Sequence, residues 1–261
     1  MLKQLLVVFI GALLSQGSTA PTSKAQNNED WEFLLLAQFW PTTSCYYFRQ
    51  SGCSVPEKVN NWTIHGLWPS NANEPQPENC NSSMPFDYTQ IESLRDRLDL
   101  EWPYYNKSGA RTFLWEHEWN KHGTCAYNLP TLQGEMNYFT SAMNLYQTIN
   151  LFGVLKAHGI EPSEEKKFQV QDIFDILNEY FQAKPNIICL HNSEENVYYI
   201  EEIWLCFNKD LTARDCEEIP VHIETALKFT SETDTLFRKT KGYIKDCPQD
   251  RKVYYLPIKH P

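Results

Sequence analysis

The sequence predicts an α+β fold: one domain built around a main sheet and held by disulfides. Three observations predict it. Strand-like and helix-like stretches are mixed along the 261 residues without a strict βαβ alternation. The chain carries eight cysteines, an even number with no CxxC pair, which reads as a disulfide framework in an oxidising compartment. It is 42% hydrophobic and 14% aromatic, which is enough to fill a core and excludes a disordered chain.

The elements follow in order. Residues 1–20 read as a signal peptide. Lys3 supplies the positive start, residues 5–14 are apolar, and small residues follow at Ser15, Gly17, Ser18 and Ala20. The apolar run is too short to span a bilayer, and no later segment approaches the necessary length. Cleavage after Ala20 would leave Pro21 at the new N-terminus, so cuts from residue 17 to residue 25 compete. Residues 21–30 are polar and expected to be flexible, and residues 31–261 form the folded domain.

Residues 31–40 read as a buried strand ending at Pro41, and residues 62–67 as a second. Residues 70–85, rich in Asn, Pro and Ser, form a long loop. Residues 91–100 have helical periodicity, and residues 111–122 predict a helix stopped by Gly123. Residues 136–149 and 170–181 predict amphipathic helices. Residues 187–190 and 197–207 read as strands, and the tail at 253–258 as an edge strand around Pro257. Asn61, Asn81 and Asn106 head Asn-x-Ser/Thr sequons, as expected of a secreted glycoprotein.

Two stretches carry chemistry. Residues 62–69 read WTIHGLWP. Here His65 leaves a strand, Gly66 allows an unusual turn or close backbone approach, and Trp68 offers a flat face to a base. Residues 117–125 read HEWNKHGTC. On a helix at about 100° per residue, His117, Glu118, Lys121 and His122 share less than half the circumference, with Trp115 and Trp119 toward the buried side. A solvated helix face is the plain alternative, and the pairing with the His65 strand argues against it. HExxH zinc chemistry is excluded because the second histidine is five residues on and Lys121 stands at the ligand position. No GxSxG elbow exists.

These groups suit cleavage of RNA, whose 2′-hydroxyl is a built-in nucleophile. The reaction needs a base for that proton, an acid for the leaving 5′-oxygen, and cations for the phosphoryl oxygens. Imidazole serves both proton transfers near neutrality. A net charge of −10, or −11 once Lys3 leaves with the leader, is unusual for a phosphate binder. It predicts a locally basic site, or work at acid pH where histidines gain charge.

WTIHGLWP and HEWNKHGTC closely resemble the two active-site signatures of the ribonuclease T2 family. Gln38, Phe39, Trp40, Pro41 and Cys45 are similar to its first strand, and the likeness runs from Trp31 to the C-terminus, weakest after Cys216. The resemblance implies a central antiparallel sheet flanked by helices. It also implies a monomeric, metal-independent endoribonuclease with no cofactor, secreted or held in lysosomes or endosomes. Such an enzyme cuts single-stranded RNA to a 2′,3′-cyclic phosphate and then a 3′-phosphate, and leaves DNA alone. Residue by residue, His122 looks like the general base and His65 like the general acid. His117 matches the phosphate-binding histidine, and Glu118 and Lys121 the pair that stabilises the pentacoordinate phosphorus. Trp68 matches a base-stacking position, and Gln38 lines a base pocket. The same resemblance pairs Cys45–Cys53, Cys80–Cys125, Cys189–Cys247 and Cys206–Cys216. The chain's acidity fits the acid-nuclease type. A secreted glycoprotein that binds RNA or a partner without cutting is the rival class, and turnover separates the two. A zinc hydrolase would lose activity to a chelator.

Overall fold

A computed structural model describes residues 30–48, 52–73, 75–216 and 242–260. The expected leader and most of the polar segment after it lie outside the described residues. The strands are β1 (Phe33–Phe39), β2 (Thr63–Ser70), β3 (Lys167–Gln169), β4 (Asn186–Asn192), β5 (Val197–Phe207), β6 (Ala213–Arg214), β7 (Gly242–Asp246) and β8 (Lys252–Tyr254). The helices are α1 (Pro41–Ser44), α2 (Arg95–Glu101), α3 (Phe113–Lys121), α4 (Glu135–Thr148), α5 (Leu151–Ala157) and α6 (Val170–Phe181).

The sheet runs in the order β2-β1-β5-β4-β7, antiparallel throughout. One pairing departs from the antiparallel expectation. β8 meets β5 in parallel, Tyr198 opposite Val253, while pairing antiparallel with β3. Every residue of β1 is buried, as its run FLLLAQF requires of a strand covered on both faces. Leu34, Leu36, Ile64, Ile203 and Leu205 join a large core with Trp115 and Trp119 of α3, Tyr138 and Phe139 of α4, and Ile173 and Leu177 of α6. On the other face lies a smaller cluster of Phe33, Leu35, Ala37, Ile188, Leu190 and Trp204.

The α+β expectation holds, and the boundaries refine it. The sequence pattern places α6 and β5 at their observed limits. β2 runs on through Pro69 because it is the sheet edge, where a missing N–H breaks no second ladder. Residues 91–100 split into a 3-10 turn at Glu92–Leu94 and then α2. α5 shows no periodicity because seven residues are too few. Asn150 starts it, its side chain accepting the Gly153 N–H at 2.9 Å. The strand at the tail ends at Tyr254. Beyond it, Trp40 Nε1 and Thr42 Oγ1 donate to the carbonyls of Leu256 and Pro257.

All four disulfides form in the pairing that the family resemblance implies. Cys80–Cys125 matters most here, because it ties the Asn- and Pro-rich loop to the chain just beyond α3. Among the described residues no helix is long and apolar enough to cross a membrane.

Candidate active site

The site begins with an irregularity in β2. Opposite β1, Ala37 faces Gly66 and Gln38 faces Ile64, so His65 is an extra residue, a β-bulge. A bulge turns a side chain out of strict alternation and leaves its own backbone off the ladder. Here the Trp102 indole N–H donates to the His65 carbonyl at 2.8 Å. A second bulge sits on β5. Opposite β4, Ile188 faces Glu202 and Cys189 faces Ile200, leaving Glu201 extra. β1 lies between the two bulged strands, and His65 and Glu202 meet across it, His65 Nδ1 donating to Glu202 Oε1 at 2.9 Å.

α3 supplies the other wall. Its tryptophans fix its roll: Trp115 Nε1 donates to the Trp102 carbonyl and Trp119 Nε1 to the Met84 carbonyl. Glu118 and Lys121 are buried with those tryptophans, so the charged arc faces the protein and not solvent. Trp68 Nε1 donates to Glu118 Oε2 at 2.8 Å, and Glu118 Oε1 lies 3.9 Å from His65 Nε2 with no hydrogen-bond partner. Gly66 makes this possible through space alone. A Cβ there would sit 2.1 Å from Glu118 Oε2 and 2.1 Å from Trp68 Nε1, and Gly66 has no left-handed φ, so no unusual turn occurs.

His122 is the C-cap of α3, its N–H bonded to the Glu118 carbonyl at 3.0 Å. The predicted stop at Gly123 therefore falls one residue after the cap. The half-buried Trp68 indole touches both imidazoles, with ring centroids 5.1 Å from His65 and 5.2 Å from His122. Two histidines from distant stretches thus flank one ring.

Their electrostatics differ in sign. Burial lowers the His122 pKa well below the ordinary imidazole value, and Lys121, His117 and His65 push the same way. Burial also disfavours charge on His65, but the charge and hydrogen bond of Glu202, with Glu118 behind them, outweigh burial and Lys121, so its pKa is raised. Burial pushes the Glu118 carboxyl up to about 7 against the pull of His65, Trp68 and Lys121. Lys121 Nζ pairs with Glu78 Oε1 at 3.0 Å, and the Asn79 N–H donates to the Lys121 carbonyl.

Of the residues predicted from sequence, His65, Glu118, Lys121, His122 and Trp68 come together. His117, half-buried on the same helix, contributes charge that His122 feels. Gln38 is fully buried in register with Ile64 and Ile203, the neighbours of His65 and Glu202, and neither amide atom has a hydrogen-bond partner. Glu202, Glu78 and Trp204 were not predicted. A signal existed for Glu202: two acidic residues inside the strand VYYIEEIWLCF are costly to bury unless paired.

Comparison with known proteins agrees. The sequence model of the ribonuclease T2 family matches residues 31–216. Ribonuclease Oy of Magallana gigas is 32% identical over 233 residues, which is 88% of this chain and 98% of that protein. The crystal structure of human RNase T2 superposes with a TM-score of 0.65 at 30% identity, covering 88% of this chain and all of the other. That of RNase NT in complex with 5′-AMP gives a TM-score of 0.68 at 25% identity, with the same coverage. The chain is a member of the ribonuclease T2 family, an endoribonuclease by descent and by fold.

Proposed function

We propose that the protein is a metal-independent endoribonuclease that cleaves single-stranded RNA by transphosphorylation, with His122 as base and His65 as acid. The observation that carries this reading is the opposite displacement of two imidazoles packed on one indole. A base must be neutral and an acid protonated at the same pH, and the lowered pKa of His122 with the raised pKa of His65 supplies that pair.

His122 takes the 2′-hydroxyl proton as the oxygen attacks phosphorus. Lys121, released from Glu78 by a competing phosphate, and protonated His117 meet the charge on the phosphoryl oxygens. Glu118, neutral below about pH 7, donates from its unpartnered oxygen to one of them, where a carboxylate would repel. His65 gives its Nε2 proton to the departing 5′-oxygen. The two histidines then exchange roles as water opens the 2′,3′-cyclic phosphate to a 3′-phosphate. Trp68 presents its indole to a base, and Gln38, with both amide atoms unused, is proposed to read a base edge. RNase NT binds 5′-AMP, and a nucleotide of that kind fits the same reading here. A secretory leader over residues 1–20, a monomeric state, lysosomal or extracellular residence, and glycans on Asn61, Asn81 and Asn106 belong to the proposal.

Digesting a fluorescent RNA oligomer, with product ends identified by mass, tests the chemistry. Cleavage in the presence of EDTA to 2′,3′-cyclic and then 3′-phosphate ends is expected. DNA of the same sequence should stay intact because it lacks the nucleophile, and efficient DNA cleavage would overturn the mechanism.

The pH profile follows from the same shifts. Activity rises as His122 loses its proton, at a pH well below the ordinary imidazole value. It falls as Glu118 ionises at about 7 and His65 deprotonates above its ordinary value. The rate maximum is therefore expected at about pH 4.5–6.5. A maximum above about pH 8 would contradict these roles.

A further inference from the structure

We propose that Glu202 is a positioning residue for the reaction: its carboxylate holds His65 with the proton on Nδ1 and Nε2 turned toward Glu118, and thereby shares with Glu118 the setting of the upper pH limit of activity. The inference rests on the reading of His65 as the acid and goes beyond it to the group that tunes it.

Three observations carry it. Glu202 Oε1 lies 2.9 Å from His65 Nδ1, and its other oxygen accepts the Trp204 indole N–H. An ionised carboxylate satisfies both contacts as acceptor, and the first then requires the His65 proton on Nδ1. Glu202 is also buried within a strand that is otherwise largely apolar, where an unpaired anion would be disfavoured. Finally, the bulge leaves His65 as an extra residue opposite β1, while Glu202 stands in regular register with Phe39 on the other side of that strand.

Among the described residues, charged groups approach His65 from β5 and α3. Glu202 faces it from β5, Glu118 and Lys121 from α3, and His122 from the end of α3. Phe39 and Trp68 pack on it as neutral rings. Glu118 is largely protonated below pH 7. Among the described residues, Glu202 is the carboxyl group within hydrogen-bond distance of the ring. It also leaves Nε2 as the nitrogen that can hand a proton to substrate.

The test is Glu202→Gln, with kcat/KM for an RNA oligomer measured across pH in the wild type and the variant. A glutamine offers one acceptor to two donors and no charge. The basic limb of the profile should move down by about one pH unit or more, the usual effect of removing an adjacent opposite charge. The acid limb, set by His122, should stay in place. Trp204→Phe, which removes a donor but keeps the charge, should move the basic limb less than Glu202→Gln does. An unmoved basic limb in an enzyme that still needs His65 would overturn this proposal alone. A near-normal His65→Phe enzyme would remove the acid assignment, and this proposal with it. Should Glu202→Gln fail to fold, nitrogen NMR of the wild-type ring decides. The neutral form protonated at Nδ1 supports the proposal, and one protonated at Nε2 sinks it.

Discussion

Replacing His122 with phenylalanine is expected to lower kcat at least ~10²-fold while leaving the protein folded, the low end for removal of a general base. The substitution suits its environment. His122 is buried, its Nδ1 has no hydrogen-bond partner, and burial with Lys121 beside it already holds the ring neutral. A neutral ring of similar size should therefore take its place with little disturbance of the Trp68 contact. His65→Phe should lose as much activity but is a harsher change. It strands the buried Glu202 carboxylate without its partner, so its thermal midpoint should fall as well. Kinetics on an RNA oligomer at pH 5, alongside a circular-dichroism melt, separate the two effects. Near-wild-type turnover in a folded His122→Phe protein would remove the base from the mechanism.

Gly66→Ala should be nearly as damaging, although it adds one methyl group and touches no proton-transfer group directly. The new Cβ would lie 2.1 Å from both atoms of the Trp68–Glu118 hydrogen bond, and neither end can yield freely. Trp68 is packed against His65, His122 and Trp204, and Glu118 is held on a helix whose tryptophans are themselves hydrogen-bonded. Overpacking of this kind costs about 1–3 kcal/mol. Displacing Glu118 and Trp68 by an ångström relative to the phosphate is expected to reduce kcat/KM by about 10²-fold. Wild-type activity in this variant would show that the Trp68–Glu118 bond is dispensable.

Much of the site was legible because its residues are close in sequence. Glu118, Lys121 and His122 fall on one arc of a helix, and helical geometry alone places them together. Gly66 serves close approach and no special turn. Regular elements with long periodic runs, α6 and β5 above all, are legible to their observed limits. Short pieces are not, because pairing creates them. β3 and β6, of three and two residues, have no periodicity to read. Gln38 is legible as a buried β1 residue, in register with core isoleucines of both neighbouring strands, but its unpartnered amide shows only in the tertiary structure.

The amino-acid sequence by itself determined the chemistry. It supplied three histidines, a lysine and a glutamate in two short signatures, tryptophans to fix a helix roll, and cysteines in pairs. Only the tertiary structure decided which imidazole has its pKa raised and which has it lowered. That outcome depends on the bulge of β2 and the register of β5 on either side of β1, which bring Glu202 to His65. A bulge is a property of register between strands far apart in the chain, so no local pattern announces it.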